Sequence, residues 1–556
     1  MKKFLLIINI GLLFWLTFIF SQNQLKAQTV GLFLNTEQAA TGFTLFSPLG
    51  TNATYLVDNC GKLVHQWAHD TAPGLSVYLL ENGQLLRTGR VGTNIFTPGG
   101  SGGKIQLIEW DGTVTWDYQY SSTTYHQHHD VEYLPNGNIL ILAWRVYSNN
   151  FAIENGRNPN QVNQTVWMTQ IVEVEPQGTN GGNIVWQWNL ADHLIQDFDV
   201  TKDNYGTVED NPQLVNINYA AWPNPNNTPE PPEDWIHANS VDYNAELDQI
   251  IISARSFDEV WIIDHSTSTQ EAAGHTGGNS GKGGDLLYRW GNPQAYNKGN
   301  ANDRKLFGQH DAYWIPEGYA DEGKIMIYNN GTNRPNGNYS SVDVIDLPIN
   351  ANNLYDLNAN GTYGPENLDW TYEDLGNFYS RNISGAQRLP NSNTLICEGA
   401  NGRFFEVDYD HNIVWEYINP ISNNGPIQQG IPAEQNNVFR AYRYPLNYPA
   451  FNGINLQSSE PLELNPFNYE CETETSLVTI NTHITIQLSN QTLKINNQTG
   501  KSYTANLFNL MGQLVNSNSG INNLQFNVAN HASGIYILQL IDEANSIIEI
   551  EKLYIK

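Results

Sequence analysis

The chain contains few cysteines and few basic residues. It has 556 residues and only three cysteines, Cys60, Cys397 and Cys471. This number excludes a disulfide scaffold, three cysteines cannot all pair within one chain, and the sequence does not choose the pair. Lys and Arg together number 27 against 56 Asp and Glu, which gives a net charge of −29. Such a charge repels a phosphate backbone, so we expect no nucleic-acid partner.

Long apolar runs are also scarce, and the one present lies at the start. Lys2 and Lys3 precede an apolar run from Phe4 to Phe20, and Leu25-Lys26-Ala27 follows. This order predicts a secretory signal over residues 1–27, cleaved after Ala27. The alternative is an uncleaved membrane anchor, because the run is long for a signal. No later segment is apolar enough to span a bilayer, so we expect an exported chain with no stable membrane span after processing.

Several common catalytic motifs are missing. The glycine-rich stretches 99–104 and 277–282 fail the spacing of a phosphate-binding loop, since Pro98 and Thr276 stand where the first glycine belongs. No nucleophile elbow, zinc-binding HExxH helix or calcium loop of standard spacing is present. We therefore expect both stretches to be loops, and we expect no cofactor and no bound metal.

What the sequence does contain is a motif that occurs six times. A turn is followed by a strand that carries two aromatic-type residues one position apart. The pairs are His65/Trp67, Trp116/Tyr118, Trp186/Trp188, Tyr288/Trp290, Trp370/Tyr372 and Trp415/Tyr417. Apolar runs of four to eight residues alternate with Pro-Asn-Gly and similar turns, which predicts four strands in each unit. The fold class is therefore all-β, and six such units predict a six-bladed β-propeller.

The two ends of this repeat complement each other. The stretch from Gly42 to Trp67 supplies three strands but no innermost strand, whereas Val438 to Tyr444 is a lone strand after the sixth pair. We expect the late strand to complete the first blade, which would hide edges that otherwise pair with other chains.

Beyond Pro445 the pattern stops, and short alternating strands resume near Leu477. They predict a small C-terminal β-sandwich-like domain. The turn around Asn509, Leu510, Gly512 and Gln513 and the strand Gly534–Tyr536 resemble the C-terminal sorting domains of type IX secretion. An ordinary β-sandwich accessory domain is the alternative. The predicted boundaries are residues 1–27 for the signal, 28–446 for the propeller, 447–476 for a linker and 477–556 for the sorting domain.

Alignment of the repeats on their turns places similar side chains at one position. His129, His310 and Ser384 fall five residues before their turns, and His237 falls there within one residue. This position starts each innermost strand, so these side chains should surround one mouth of the central channel. A single such histidine is more often structural, but three at one repeat position favour a site. His126 and His128 miss the register, and His128 should point to the opposite side of the strand from its neighbour. A three-histidine zinc site is the alternative chemistry.

The stretches 128–140, 234–255 and 308–318 resemble the bacterial arylsulfate sulfotransferases, and the resemblance covers most of residues 42–444. It implies transfer of a sulfuryl group from an aryl sulfate to a phenol through a sulfohistidine, with small-molecule substrates and no nucleotide donor. It also implies a role for each site residue: His310 as the nucleophile, His237, Asn239 and Arg255 as ligands of the sulfuryl oxygens, and His129 as acid/base or second oxygen-binding histidine.

Two further assignments accompany this site. Ser384 would donate a hydrogen bond to an oxygen, and Tyr442 in the closing strand would line the aromatic pocket. Arg255 has an alternative interpretation, because Arg145 occupies nearly the same place in the preceding repeat, and an arginine here could simply cap a strand or pair with an acidic neighbour.

Two classes of function therefore remain from the sequence: a secreted or cell-surface sulfotransferase that passes through the periplasm by the type IX machinery, and a non-catalytic propeller that binds a ligand at its aromatic mouth. The sequence does not say whether the insertion 191–235 is a lid, nor what the oligomeric state is.

Overall fold

The protein is described here by a computed structural model. The described residues are 28–97, 99–162, 165–219, 233–467 and 471, together with 484–489, 492–497, 502–509, 514–521, 523–528, 534–542 and 547–555. The predicted signal, residues 1–27, lies outside them. The chain divides into two compact units, residues 1–469 and 470–556. Among the described residues, none of the helices is long and apolar enough to cross a membrane.

The first unit contains six antiparallel sheets of the predicted kind, one for each repeat. We number them as blades one to six in chain order. From the channel outward, blade one has Val438–Pro445, Gly42–Pro48, Ala53–Val57 and Leu63–Ala68; blade two has Pro73–Leu79, Leu85–Arg90, Gly103–Ile108 and Val114–Gln119; blade three has Tyr125–Tyr133, Ile139–Ser148, Thr165–Gln177 and Gly181–Asn189. Blade four has Ala238–Asn244, Gln249–Ala254, Glu259–Asp264 and Tyr288–Trp290; blade five has His310–Trp314, Ile325–Asn329, Ser341–Ile345 and Trp370–Glu373; blade six has Gly385–Arg388, Thr394–Glu398, Arg403–Val407 and Ile413–Ile418.

The aromatic pairs lie on the fourth strand of every blade, and their tryptophans link the blades into a ring. In each blade one indole N–H donates to a carbonyl of the next blade, in the connection between its third and fourth strands or, for Gly181, at the start of the fourth strand. The six bonds are Trp67 to Glu109, Trp116 to Gly181, Trp188 to Gly284, Trp290 to Pro365, Trp370 to Tyr409 and Trp415 to Asn59. The last bond returns from blade six to blade one. The repeat in the sequence is therefore a closed ring in space.

The predicted closure is confirmed. Val438–Pro445 pairs antiparallel with Gly42–Pro48 as the innermost strand of blade one. The chain start makes a second closure that the sequence did not indicate, because Gly31–Asn35 pairs with Ile413–Ile418 as a fifth strand of blade six. Both ends of the propeller are thus held in sheets.

The inner edges of the blades are also paired. Side chains of one inner strand accept hydrogen bonds from backbone N–H groups of the next, which satisfies donors that would otherwise be buried without partners. These bonds join Val241 to Asp130, Ala312 to Ser240, Ala386 to Asp311, Arg443 to Gln387 and Leu79 to Tyr444. Apolar clusters fill the space between neighbouring blades, as with Ile251, Val260, Ala312 and Ile327 between blades four and five.

Among the described residues, helices are few and lie in the connections outside the strands. The α-helices there are Asn149–Glu154 and Thr269–Ala272; the short 3-10 helices are Pro159–Gln161, Leu190–Asp192, Val208–Asp210, Arg255–Phe257, Pro293–Tyr296, Ala301–Asp303, Gly399–Asn401 and Pro449–Phe451. Two small ribbons complete the unit, Leu194–Ile195 with Val215–Asn216 and Ile421–Ser422 with Gly425–Pro426. Within the insertion 191–235, residues 220–232 lie outside the described residues.

The segment after the closing strand differs from the expected linker in its first part. Phe451 packs with Phe43 in an apolar cluster of blades one and two, and the Ser458 hydroxyl donates to Asp58 at 2.5 Å. Ala450 and Phe451 are thus buried against the propeller. Cys60 takes part in a disulfide, whereas Cys397 is a buried free thiol.

The second unit has two antiparallel sheets around one core, as predicted. The strands are Ile484–Ser489, Thr492–Asn497 and Asn523–Asn527 in one sheet, and Leu514–Ile521, Ser502–Asn509, Gly534–Asp542 and Ile547–Ile555 in the other. Leu493 and Phe526 from the first sheet pack with Leu507 and Leu538 from the second. This arrangement is a small β-sandwich. Leu510, Gly512 and Gln513 of the predicted sorting motif lie outside the described residues.

Candidate active site

One mouth of the channel opens into a cavity of about 450 Å³ that contains most of the predicted site. Among the described residues, its lining includes three histidines and three arginines, and no aspartate or glutamate: His129, His237, His310, Arg90, Arg255 and Arg381. In a chain with a net charge of −29, a wall with cations and no carboxylates is a local reversal of charge. It favours an anionic ligand.

The histidines reach the cavity because the innermost strands are irregular where they start. Pairing with the second strand shifts register beside His129, His237 and His310. His129 and His237 have positive φ angles of 52° and 49°, and Asp311 has one of 52°. Positive φ costs a non-glycine residue about 1–2 kcal/mol, and such irregularities often turn a side chain toward a functional site.

The tautomer of His310 is fixed by its neighbours. Asn330 donates its amide N–H groups to the carbonyls of Ser380 and Ile383, at 2.8 and 3.0 Å. Its Oδ1 therefore faces His310 Nδ1 at 2.7 Å and accepts the proton carried there. The other ring nitrogen, Nε2, accepts from the backbone N–H of Ile383 at 3.2 Å. His310 thus carries its lone pair at Nε2, the ring nitrogen that acts as a nucleophile, and attack requires that a substrate displace the Ile383 N–H from it.

His237 is oriented by a carboxylate. Its Nδ1 lies 2.6 Å from Oδ2 of Asp234, a fully buried residue whose Oδ1 accepts from the indole of Trp144 at 2.9 Å. An imidazole held in this way has one nitrogen engaged by the carboxylate, and its imidazolium form is stabilised. The ring of His237 lies 4.7 Å from that of His129, centroid to centroid.

His129 is held by a second histidine and by a glycine. Its Nδ1 lies 2.8 Å from Nδ1 of His128, whose ring stacks on Trp144 with centroids 4.1 Å apart. The backbone N–H of His129 donates to the carbonyl of Gly100 at 2.8 Å. A Cβ atom on Gly100 would lie 2.0 Å from the His129 ring, so this wall of the cavity requires glycine.

Burial favours the neutral form of His310 and His129. It lowers the pKa of His310 well below its usual range, and the nearby Arg255 guanidinium lowers this pKa further. Burial also lowers the pKa of His129, helped by His237 and His128. His310 is therefore a neutral imidazole at neutral pH. For His129 this direction disfavours the protonated form that an acid role would require.

Arg255 is the buried cation of the site. It lies at the start of a 3-10 helix that follows the second strand of blade four, with 7% of its surface exposed. Its Nε is buried without a hydrogen-bond partner, and within the described part of the chain it forms no ion pair. Arg145, its counterpart in the preceding repeat, is exposed. A buried guanidinium without a carboxylate is costly unless an anion joins it.

Three predicted site residues lie outside the cavity lining. Asn239 donates from Nδ2 to the carbonyl of Gln309 at 2.8 Å, and so supports the residue before His310. The hydroxyl of Ser384 donates to Ser380 Oγ at 2.8 Å and is fully buried. Neither side chain therefore faces the space that the histidines line.

Tyr442 belongs to the opposite end of the channel. It lines a smaller cavity of about 150 Å³, with Tyr78 and Arg440. It stands four residues after Val438 on a strand that rises about 3.3 Å per residue, so it lies roughly 13 Å further along the channel. The prediction that Tyr442 lines the histidine pocket is wrong for this reason.

The histidines do not form a three-ligand metal set. Within the described ranges, the one group of three or more His, Cys, Asp or Glu ligands whose atoms converge within 4.8 Å lies elsewhere. In the cavity, His237 Nδ1 faces Asp234 and His310 Nδ1 faces Asn330. The alternative of a three-histidine zinc site is not supported by this geometry.

Sequence reasoning missed three residues that orient the histidines. His128 was expected on the opposite side of its strand, but the irregular pairing at His129 breaks the alternation. Asp234 lies three residues before His237, and this spacing in a loop was the only available signal. Asn330 is 20 residues from His310 in sequence, and no local pattern connects the two.

Comparison with protein families gives two matches. The model described as Arylsulfotransferase (ASST) matches residues 32–443, and the model described as Secretion system C-terminal sorting domain matches residues 480–556. The sorting domain indicates a secreted or cell-surface protein. No curated protein matches the chain.

Solved structures with a similar fold are distant. A protein of unknown function from Bacteroides caccae has 10% identity and a TM-score of 0.39, with 73% of this chain and 99% of that chain covered. The β-propeller domain of Cps50 from Myceliophteria thermophila has 9% identity and a TM-score of 0.32, covering 71% and 87%. A catalytically inactive virginiamycin B lyase from Staphylococcus aureus has 8% identity and a TM-score of 0.31, covering 72% and 91%. The propeller is defined here by its own strand pairing.

Proposed function

The chain belongs to the arylsulfotransferase family, and from this premise we propose that it moves a sulfuryl group from an aryl sulfate to a phenol in two displacements through His310. The family membership supports arylsulfotransferase activity in general. The observation that carries the finer proposal is the pairing, in one carboxylate-free cavity, of an imidazole with its lone pair at Nε2 and a buried arginine without an ion pair.

The first displacement forms a sulfohistidine. Nε2 of neutral His310 attacks sulfur, the bond between sulfur and the aryl oxygen breaks, and the leaving oxygen takes a proton from His237. His310 keeps the proton on its own Nδ1, where it is hydrogen-bonded to Asn330. The ring then carries one positive charge, which balances the one negative charge of the sulfo group. Charge is conserved, and the phenol leaves neutral.

The second displacement reverses these steps with another phenol. The acceptor oxygen attacks sulfur while His237 takes its proton, the bond between nitrogen and sulfur breaks, and neutral His310 returns. His237 is preferred for the proton because Asp234, 2.6 Å from it, stabilises its imidazolium form, whereas the neighbours of His129 include another histidine. His129 then serves as a second donor to the sulfuryl oxygens.

Charge on the sulfuryl oxygens is met by donors that are in place before the reaction. Arg255 supplies a fixed cation. The N–H of Ile383, 3.2 Å from Nε2 of His310, lies where an oxygen of the transferred group would come. Fixed donors of this kind make the largest contribution in many such reactions, about 2.7–4 kcal/mol for one donor. Asn239 positions Gln309, the residue before His310. Ser384 positions the turn that holds Ile383.

The test is to trap the intermediate. The protein is incubated with 4-nitrophenyl sulfate and no acceptor, and a peptide digest is examined by mass spectrometry. We expect release of one equivalent of nitrophenol and the mass of one SO₃ group on the peptide that contains His310. His310→Ala should abolish both signals, while His411→Ala, at an exposed position, should retain them.

Two results would contradict this mechanism in different ways. Turnover that survives His310→Ala would indicate another nucleophile. Binding of the aryl sulfate without release of phenol would support the alternative of a non-catalytic ligand-binding propeller.

A further inference from the structure

Outside the channel, two connections between strands bring histidines and a carboxylate together. His193 follows the 3-10 helix Leu190–Asp192 at the end of blade three. His275 and Asp285 belong to the connection between the third and fourth strands of blade four. We propose that His193, His275 and Asp285 form a site for one divalent ion of the zinc class, separate from the sulfuryl-transfer site.

The ligand atoms already converge. One atom of each residue lies within 4.8 Å of the others, and within the described part of the chain this is the one group that meets this condition. Nδ1 of His193 is 2.9 Å from Oδ1 of Asp285, and Nδ1 of His275 is 2.7 Å from the same oxygen. Both contacts have the length of a hydrogen bond, so a cation could bind there with only small movements.

The tautomer of His193 is the independent observation. Its Nε2 lies 2.9 Å from the carbonyl oxygen of Ala272, and a carbonyl oxygen only accepts, so Nε2 carries the proton. The other ring nitrogen, Nδ1, points at Oδ1 of Asp285 and is therefore the nitrogen that would bind the ion.

The surroundings of His193 are those of a metal ligand. Histidines that bind metals usually donate their second N–H to a carbonyl or carboxylate, which fixes the ring, and Ala272 provides this acceptor. The ring stacks on Trp188 with centroids 5.6 Å apart and planes within 5°. On the other side, a Cβ on Gly284 would lie 2.6 Å from Nε2 of His193. The ligand is therefore held rigidly before any ion arrives.

The donor types select the class of ion. Two imidazole nitrogens and one carboxylate oxygen suit zinc and neighbouring transition metals, whereas calcium and magnesium prefer oxygen alone. Tetrahedral ligands about 2.0 Å from zinc are separated by roughly 3.3 Å, so binding would widen the present contacts by about half an ångström. His193 is fully buried, but the His275 side chain is 59% exposed and can make this adjustment. The solvent side leaves room for a water molecule as fourth ligand.

The test measures metal uptake by the mature, tag-free protein. The protein is treated with EDTA, exchanged into metal-free buffer and titrated with Zn²⁺ against a chromophoric chelator, with bound metal counted by mass spectrometry. We expect one ion per chain and a higher Tm with zinc than without it. Co²⁺ in place of zinc should give visible absorption bands typical of nitrogen and oxygen coordination.

Matched variants locate the ion. His275→Ala changes an exposed side chain and should fold normally, yet it should lower zinc affinity at least tenfold and abolish the zinc-dependent rise in Tm. His411→Ala, another exposed histidine in a turn, should bind zinc as the wild type does. Sulfuryl transfer should be retained in both variants.

Absence of stoichiometric uptake would overturn the proposal and would leave the contacts as hydrogen bonds between the two histidines and Asp285. Uptake that His275→Ala leaves unchanged would overturn it as well, because the ion would then be bound elsewhere. Neither result bears on the sulfohistidine, which is trapped in a separate experiment.

Discussion

The two ends of the propeller channel are built by the same strands but carry opposite chemistry. One end is the cavity of about 450 Å³ with histidines, arginines and no carboxylate. The other is the cavity of about 150 Å³, whose lining includes Asp130, Glu132, Asp242 and Asp311. Adjacent residues serve the two ends, since His129 precedes Asp130 and His310 precedes Asp311. Consecutive residues of an inner strand therefore line different cavities: the histidine lines the anion-binding cavity and the aspartate after it lines the acidic cavity.

Burial has opposite consequences for the two sets of groups. At the acidic end it raises the pKa of Asp242 to about 7 and that of Asp311 to about 6. At the histidine end it lowers the pKa of His310 and His129. Arg440 lines the acidic end and pairs with Asp130 at 2.7 Å and with Asp311 at 2.9 Å. The carboxylates that follow the histidines are thus compensated, and they leave Arg255 available for a substrate anion.

Removal of Arg255, the buried cation of the histidine end, should have the largest effect on catalysis. We expect Arg255→Ala to reduce kcat/KM for an aryl sulfate by about 10²–10³-fold, because one preorganised donor to the transferred group is lost. Arg255→Lys should retain part of the activity, since it keeps the charge but not the planar fork. Steady-state release of nitrophenol measures both. Arg145→Ala is the matched control, and an equal loss there would refute a special role for Arg255.

Replacement of Asp234, the carboxylate that orients His237, should have the next largest effect on catalysis. In Asp234→Asn the charge that stabilises the imidazolium is lost, and we expect kcat to fall about 10–100-fold, as for other residues that orient a reactive histidine. Trp144→Phe removes the other hydrogen bond to Asp234 and keeps an aromatic ring, so it serves as the control. A fall in Tm without a change in kcat would show that Asp234 is only structural.

The next largest effect is expected in the pH dependence of kcat/KM, which reports on the histidine end of the channel. The pKa of His310 is lowered in the folded protein, so the neutral nucleophile persists as pH falls, and the acidic limb of kcat/KM should lie below the usual histidine value of about 6.5. Arg255 helps to lower this pKa, so the residual activity of Arg255→Ala should show the limb at higher pH. A limb that stays in place would indicate that it reports another group.

The smallest effect is expected at the acidic end. Tyr442→Phe removes a hydroxyl that lies 3.4 Å from Arg440 Nη1, on the side away from the histidines. We expect kcat/KM to change less than about twofold, as for substitutions outside a reacting centre. A larger loss in kcat/KM, without a change in Tm, would mean that substrate reaches both ends of the channel.

Much of the fold could be predicted because it repeats. The pair Trp116/Tyr118 and its five counterparts each mark the fourth strand of a blade. The lone strand near Val438 could only be the innermost strand that blade one lacked. The fifth strand, Gly31–Asn35, could not be predicted, since its partner lies almost 400 residues away and no repeat marks it. The C-terminal sandwich followed from alternation of apolar residues in short strands.

The candidate site was only partly predictable. The cavity lining contains His129, His237, His310 and Arg255. These could be predicted because the position of a residue in the repeat determines where its side chain lies in the ring of blades. Tyr442 does not, because its distance along the strand places it at the other end. Strict alternation placed His128 on the wrong side, since the irregular pairing beside His129 is set by contacts with the second strand.

The sequence by itself determined the blades, their number, the strand that closes them and the residues that begin each inner strand. These follow from local spacing, which strands and turns obey whatever surrounds them. Only the tertiary structure decided which nitrogen of His310 faces the cavity, which carboxylate orients His237 and which arginine remains unpaired. Those properties depend on hydrogen bonds and charges contributed by distant residues such as Asn330 and Ile383, and burial gives these contacts their strength.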